Sequence, residues 1–344
     1  MRAHACCPSV KKRAPASAGD GWAWGQVTGD KKTPKEAKDF CIASAKEFGI
    51  ECIYQTPEDQ VEWLKSYPEL GEEIPWNCIQ RRNLAILVAY EKGCDVIITI
   101  DDDNYFVEGQ DFVGEHSQPI LQASEHSALK SNTNWLNVCE FLEDKRKVEF
   151  YPRGYPMNQR WKEPKPFFRT EKQKRKIIVN AGLWLDDPDV DAITRLTNDI
   201  SAVRYTKEES FTMQKGTWCP FNSQNTAMAR EMIPAYCLSP NIGRYDDIWA
   251  GSLAPPQPPF PHPYTPSQTR DLCKRLFGPM LNLFSRVEPV THRFLSPVAR
   301  ASQHLQYQKL ILASSCRGGK WEGEGRVGEK CMGGLVSERQ ALVA

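Results

Sequence analysis

No stretch of this sequence is apolar for long enough to cross a bilayer. The longest apolar runs, such as LAILVAY (84–90), fall far short of the ~20 residues a spanning helix needs. Paired cysteines are missing as well: the 12 cysteines include no CxxC pair and no Cys/His cluster at zinc spacing. Cys6 and Cys7 are the only close pair, and adjacent cysteines suit neither a chelate nor a disulfide with each other. The N-terminal MRAHACCPSVKKRAPASAGDG is basic but has no apolar core of the kind a secretory signal carries. The expectation is a cytoplasmic protein with reduced thiols and no membrane span. A charge excess is also lacking. With 44 Lys/Arg against 43 Asp/Glu the net charge is +1, which gives no reason to expect a polyanion-binding surface or a nucleic-acid partner.

What charge there is falls unevenly. From residue 252 onward there are 12 Lys/Arg against 6 Asp/Glu, and residues 1–24 carry 4 against 1, which leaves the middle of the chain at −8. Residues 255–266 hold 7 of the 25 prolines, and no sheet pattern can continue through them. Three regions are therefore expected: a disordered lead-in over 1–24, a folded domain over 25–251, and a proline-rich, basic, disordered or unrelated tail over 252–344.

The middle region spells an α/β pattern. A short strand at Trp24 runs into a Gly29-Asp30 turn, and Thr33-Pro34 opens a helix over 35–48 with Thr33 as its cap. GIECIY (49–54) reads as a second strand. NCIQRRNLAILVAYEK (77–92) reads as a helix ended by Gly93. CDVIITI (94–100) is continuously apolar, as strands buried on both faces of a parallel sheet are. Later, 176–185 and 222–230 read as strands. Asp186, Asp187 and Asp189 around Pro188 read as caps of a helix, and GRYDDIWAG (243–251) as a loop feeding another. The expected fold is an open, mostly parallel sheet with flanking helices, which binds ligands outside the carboxyl ends of its strands. Both acidic turns, Gly29-Asp30 and Asp101-Asp102-Asp103, fall at such ends.

Three adjacent aspartates repel one another, so either they lie in a solvated turn or something positive belongs there. A calcium loop would need a D-x-[DN]-x-[DN]-G pattern, and Tyr105 and Phe106 break it. A strand ending on an Asp nucleophile is a third reading, with Tyr105 standing where a small residue is expected. The fourth is a divalent cation shared with a nucleotide diphosphate, since hard cations take oxygen ligands and leave coordination sites for phosphate.

The run RRNLAILVAYEKGCDVIITIDDDNYF resembles nucleotide-sugar glycosyltransferases of the GT-A type, with Arg82 and Asn83 at the helix start and Asp101–Asp103 as the acidic motif. RGYP (153–156) with Arg160, then NAGLWLDDPDVDAITRL (180–196) and GRYDDIWAG (243–251), resemble the reversibly glycosylated polypeptides, the UDP-arabinopyranose mutase family. The resemblance covers roughly residues 25–251. It implies Mn2+ (or Mg2+) at Asp101, Asp102 and Asp103 with a UDP-sugar, and nucleotide contacts from Asp30, Arg82 and Asn83. It further implies Arg153 as a glycosylated arginine, Arg160 as a second functional one, and Asp246 and Asp247 as catalytic or sugar-binding acids. Sugar transfer, self-glycosylation or pyranose–furanose interconversion would follow, in a homo- or hetero-oligomer of family members, cytoplasmic and peripheral to the Golgi, serving cell-wall polysaccharide. The alternative is a catalytically weak member acting as a partner subunit, because nothing after residue 251 resembles the family. Several of the single-residue readings have rivals. Asp246 and Asp247 also suit a helix start, Asp30 a simple turn, and Arg153 a clamp for a phosphate or carboxylate, while His116 could be a ligand or an ordinary core histidine.

Overall fold

The computed structural model describes residues 22–101, 103–105, 107, 110–161, 168–206, 210–240, 242–243, 245–253 and 309–315. Strands are β1 (Trp22–Thr28), β2 (Glu51–Gln55), β3 (Val96–Asp101), β4 (Ser124–Ser131), β5 (Leu142–Asp144), β6 (Phe168–Arg175), β7 (Val179–Ala181), β8 (Ala202–Tyr205), β9 (Phe211–Met213), β10 (Asn225–Ala229) and β11 (Lys309–Ser315). Helices are α1 (Glu36–Phe48), α2 (Pro57–Leu64), α3 (Pro68–Glu73), α4 (Arg82–Glu91), α5 (Phe112–Leu121), α6 (Ala192–Thr197) and α7 (Asp246–Leu253). The α/β, GT-A-like class read from the sequence is what forms.

The central sheet has six strands in the order β2-β1-β11-β3-β10-β7. Period-2 alternation explains why β3 is apolar throughout. Ile97 packs with Ala85, Ile86 and Ala89 of α4 on one face of the sheet. Val96, Ile98 and Ile100 pack with Cys41 of α1 and Val113 and Ile120 of α5 on the other. A smaller sheet, β6-β4-β9, and the pair β5-β8 stand apart from it.

The sheet is mixed. β1, β2, β3 and β7 run one way, but β10 and β11 lie between them in the opposite sense, so β1–β2 is the parallel ladder of the six strands. The interposed β11 comes from the C-terminal region. Seven residues of the expected tail, KLILASS (309–315), pair antiparallel with β1 on one side and β3 on the other. The remainder of that tail, and the lead-in before Trp22, lie outside the described residues.

Local corrections have local causes. Thr33 does not cap α1, whose cap position is Lys35; its Oγ1 instead accepts the Asp30 N–H at 2.8 Å and closes the turn after β1. Gly49 ends α1 in the left-handed region at φ 68°, as a glycine there should. The helix expected over 77–92 is α4 preceded by one 3-10 turn, Ile79–Arg81. α2 and α3 were not expected, although Thr56 and Asp59 form a full capping box at the start of α2.

Candidate functional site

Because β1 and β3 run in the same sense, their carboxyl ends reach one sheet edge, and β10, running against them, starts there. Asn225 of β10 lies opposite Ile100. The three residues before it, Asn222, Ser223 and Gln224, thus arrive beside the acidic turn. Gln224 O accepts the N–H of Asp101 at 3.0 Å and the side-chain amide of Asn104 at 2.6 Å. The strand expected over 222–230 begins only at Asn225. Residues 222–224 are a hub of side-chain and backbone hydrogen bonds, which carries no hydrophobic periodicity to reveal it.

From this hub a buried chain of charges extends in both directions. Toward the acidic turn, Arg82 is fully buried, donates to Ser223 O at 2.6 Å and to Ser223 Oγ, and forms an ion pair with Asp101. Burial works against the charged guanidinium, but the carboxylate of Asp101 more than offsets it, and Arg82 is held above its ordinary pKa. Toward the RGYP segment, the N–H of Ser223 approaches Asp247 Oδ2 at 3.4 Å. Asp247 accepts both terminal nitrogens of Arg153 at 2.9 Å, in the parallel fork geometry of the strong arginine–carboxylate pair. Arg153 Nε also donates to both oxygens of Asp189 at 3.0 Å, and Asn222 donates to Asp189 Oδ2 at 2.6 Å. Asp101, Arg82, Arg153 and Asp247 are therefore joined through one network, with Ser223 between the two arginines.

Asp189, expected as a helix cap, is a partner of Arg153; the cap of α6 is Asp191, which accepts the Thr194 N–H at 3.0 Å. Asp187 pairs instead with Arg195, and Asp186 bridges to Ala202. Arg153 itself is raised in pKa: burial opposes its charge, and Asp247 and then Asp189 reverse that effect. It is a firmly charged, doubly clamped guanidinium. Asp246 differs from its neighbour. It is 1% exposed, and burial together with the adjacent Asp247 charge raises its pKa to about 6, against the hydrogen bond at 2.7 Å from Gln80.

The other expected residues fall outside this chain of contacts. Asp30 is buried, and its carboxylate accepts the N–H groups of Lys31 and Asn77, both at 2.7 Å, so it ties the β1 turn to the segment before α4. Asn83 is buried and exchanges two hydrogen bonds with the backbone of Leu238. Arg160 pairs with Asp191 at 2.5 Å and donates to Tyr155 O at 3.1 Å, pinning the RGYP segment to the cap of α6. His116 is buried with Nε2 2.8 Å from Asn225 Oδ1, and desolvation, opposed by that contact, lowers its pKa and keeps it neutral.

A divalent cation at the acidic turn would have oxygen donors from Asp101, which ends β3, and Asp103, which is exposed in the turn; Asp102 lies outside the described residues. Among the described residues no group of three or more His, Cys, Asp or Glu is arranged to hold a metal. The donor chemistry suits a hard cation, with Arg82 already offsetting part of the negative charge. No described helix is long and apolar enough to cross a membrane.

No family model matches the chain. Over 161 residues it is 30% identical to UDP-arabinopyranose mutase 3 of Arabidopsis thaliana and to probable UDP-arabinopyranose mutase 2 of Solanum tuberosum. It is 29% identical to UDP-arabinopyranose mutase 1 of Oryza sativa subsp. japonica. Each match takes in 45% of this chain and 40% of the relative, so the chain spans well under half of the proteins it resembles. These similarities bear out the resemblance read from the motif blocks.

Proposed function

We propose that the chain binds a UDP-sugar at the carboxyl edge of the central sheet and interconverts its pyranose and furanose forms, as a UDP-arabinopyranose mutase-like enzyme. The observation that carries this reading is the single network joining the acidic turn, through Arg82 and Ser223, to the Arg153 clamp. In the reaction the anomeric C–O bond to the diphosphate breaks and leaves its electron pair on the β-phosphate oxygen. The 4-hydroxyl oxygen then bonds to the anomeric carbon and gives up its proton. The β-phosphate oxygen re-forms its bond to that carbon while the bond from it to the original ring oxygen breaks, and that oxygen takes up a proton. A divalent cation held by Asp101, Asp102 and Asp103 would neutralise charge on the departing diphosphate. The chain's own part is to hold both fragments while they are separate. The network fixes the acidic turn and the guanidinium of Arg153 on one scaffold, so neither has to reorganise as charge develops. Arg82 acts from behind, by holding the carboxylate of Asp101 in place.

Self-glycosylation at Arg153 is the less favoured chemistry. A nitrogen of Arg153 would have to lose a proton as it attacked the anomeric carbon. Both carboxylates around it stabilise the charged, non-nucleophilic form instead. That clamp favours a second reading in which the chain is a weakly active partner of other family members, in a cytoplasmic, Golgi-peripheral assembly.

Incubation with UDP-arabinopyranose and Mn2+, followed by chromatographic separation of the two ring forms, tests the proposal. The furanose form is expected with the wild-type chain and not with Arg153→Ala. Conversion that appears only when a full-length relative is added supports the partner reading, and no conversion in either case contradicts both.

A further inference from the structure

Tyr245 and Trp249 flank the buried Asp246-Asp247 pair in sequence, and the Trp249 N–H donates to Tyr245 O at 2.9 Å. That is the spacing of one helical turn, so both rings rise from the same side of the start of α7. The rest of the turn faces inward: Asp246, Asp247, Ile248 and Ala250 are all buried. Tyr245 and Trp249 as residues are 40% and 48% exposed. The guanidinium carbon of Arg153 lies 5.7 Å from the centre of the Tyr245 ring. Single exposed aromatics are ordinary. Two on one side of a helix, one of them beside a clamped guanidinium, are a shaped surface.

That surface is also held rigidly. Gly154 of the RGYP turn has φ +88°, and a Cβ there would come within 2.5 Å of Ile248 Cγ2. A Cβ on Gly251 would come within 2.8 Å of the Phe221 ring. The two glycines let α7 sit directly on the Arg153 turn and on the segment preceding the hub, so the rings and the charges keep a fixed relation.

Resting on the UDP-sugar reading above, we propose that Tyr245 and Trp249 form the platform that receives the sugar ring of the nucleotide sugar. A sugar presents a C–H face and a rim of hydroxyls. Aromatic rings take the first, and a guanidinium with carboxylates beside it takes the second. A protein partner would fit less well, because charged residues are depleted from the cores of protein interfaces, and here a charge cluster adjoins the rings. Tyr245 adjoins Arg153, which the network links through Asp247, Ser223 and Arg82 to Asp101 of the acidic turn, where the proposal puts the diphosphate. The platform gives the freed sugar a surface to rest on while its ring reopens and recloses.

Calorimetric titration of the full chain with UDP and with UDP-arabinopyranose, in the presence of Mn2+, tests the platform in Tyr245→Ala, Trp249→Ala and Trp249→Phe. Each alanine variant should bind UDP as wild type does and lose about tenfold in affinity for the UDP-sugar, with Trp249→Phe recovering most of it. Unchanged UDP-sugar affinity in the alanine variants, with UDP still bound, overturns the platform and leaves the nucleotide site standing. Equal loss for both ligands also overturns it, since the residues would then serve the nucleotide or the fold. A wild-type chain that binds neither ligand overturns the nucleotide reading and the platform with it.

Discussion

Two adjacent aspartates at the start of α7 have opposite characters, and the difference is set by their partners. Asp247 forks with Arg153, whereas Asp246 has an uncharged partner in Gln80 and is pushed up to about 6. Its folded-state pKa therefore exceeds the ordinary carboxylate value, so the folded state binds the extra proton between about pH 4 and pH 6. Stability should fall as pH rises through that window and remain lowered above it. Asp246→Asn keeps an acceptor for Gln80 and removes the charge. It should raise stability at pH 7.5 by about 1–3 kcal/mol and flatten the fall between pH 4 and 6, measured by urea unfolding across pH. The opposite sign is expected at Arg153. Arg153→Ala would leave Asp189 and Asp247 facing each other without a cation, at about 3–5 kcal/mol, in the same assay. At this scale the sequence displayed Asp101, Arg82, Arg153 and Asp247, because each sits in a patterned block. It did not display Asp189, which stands next to Pro188 exactly where a helix cap would, nor Asn222 and Ser223. Their roles come from contacts distant in sequence: a side chain–side chain bond across 33 residues between Asn222 and Asp189, and a side chain–backbone bond across 141 between Arg82 and Ser223.

Among the elements, β11 is the one on which the sheet most depends. It pairs on both sides, so removing it leaves the facing N–H and C=O groups of β1 and β3 without partners in the middle of the sheet. Leu312→Pro would delete one ladder donor at the centre of the strand. Both this variant and a chain ending at Leu253 should lose the cooperative thermal transition in far-UV circular dichroism, while a chain ending at Ser315 should keep it. β3 and α4 were legible because continuous burial and helical periodicity mark them strongly. β11 was passed over because LILA is a short apolar run amid basic, glycine-rich sequence, and a run that short does not distinguish strand from chance. The order of strands was not legible at all: nothing local to KLILASS indicates that it enters between β1 and β3.

For the molecule as a whole, β11 brings seven residues from the C-terminal region between β1 and β3, the two strands that run into the acidic turns. The central claim is that this arrangement binds a nucleotide sugar through Asp101–Asp103. A ligand that binds only the folded state stabilises it by about 2.7 kcal/mol at a hundredfold excess over its dissociation constant. The decisive measurement is the melting temperature of the full chain with UDP, with Mn2+ and with both, in wild type and in the Asp101→Ala/Asp103→Ala double variant. The account predicts a rise of several degrees that needs both ligands and is absent in the variant. A wild-type chain that melts cooperatively at one temperature in all conditions would contradict it.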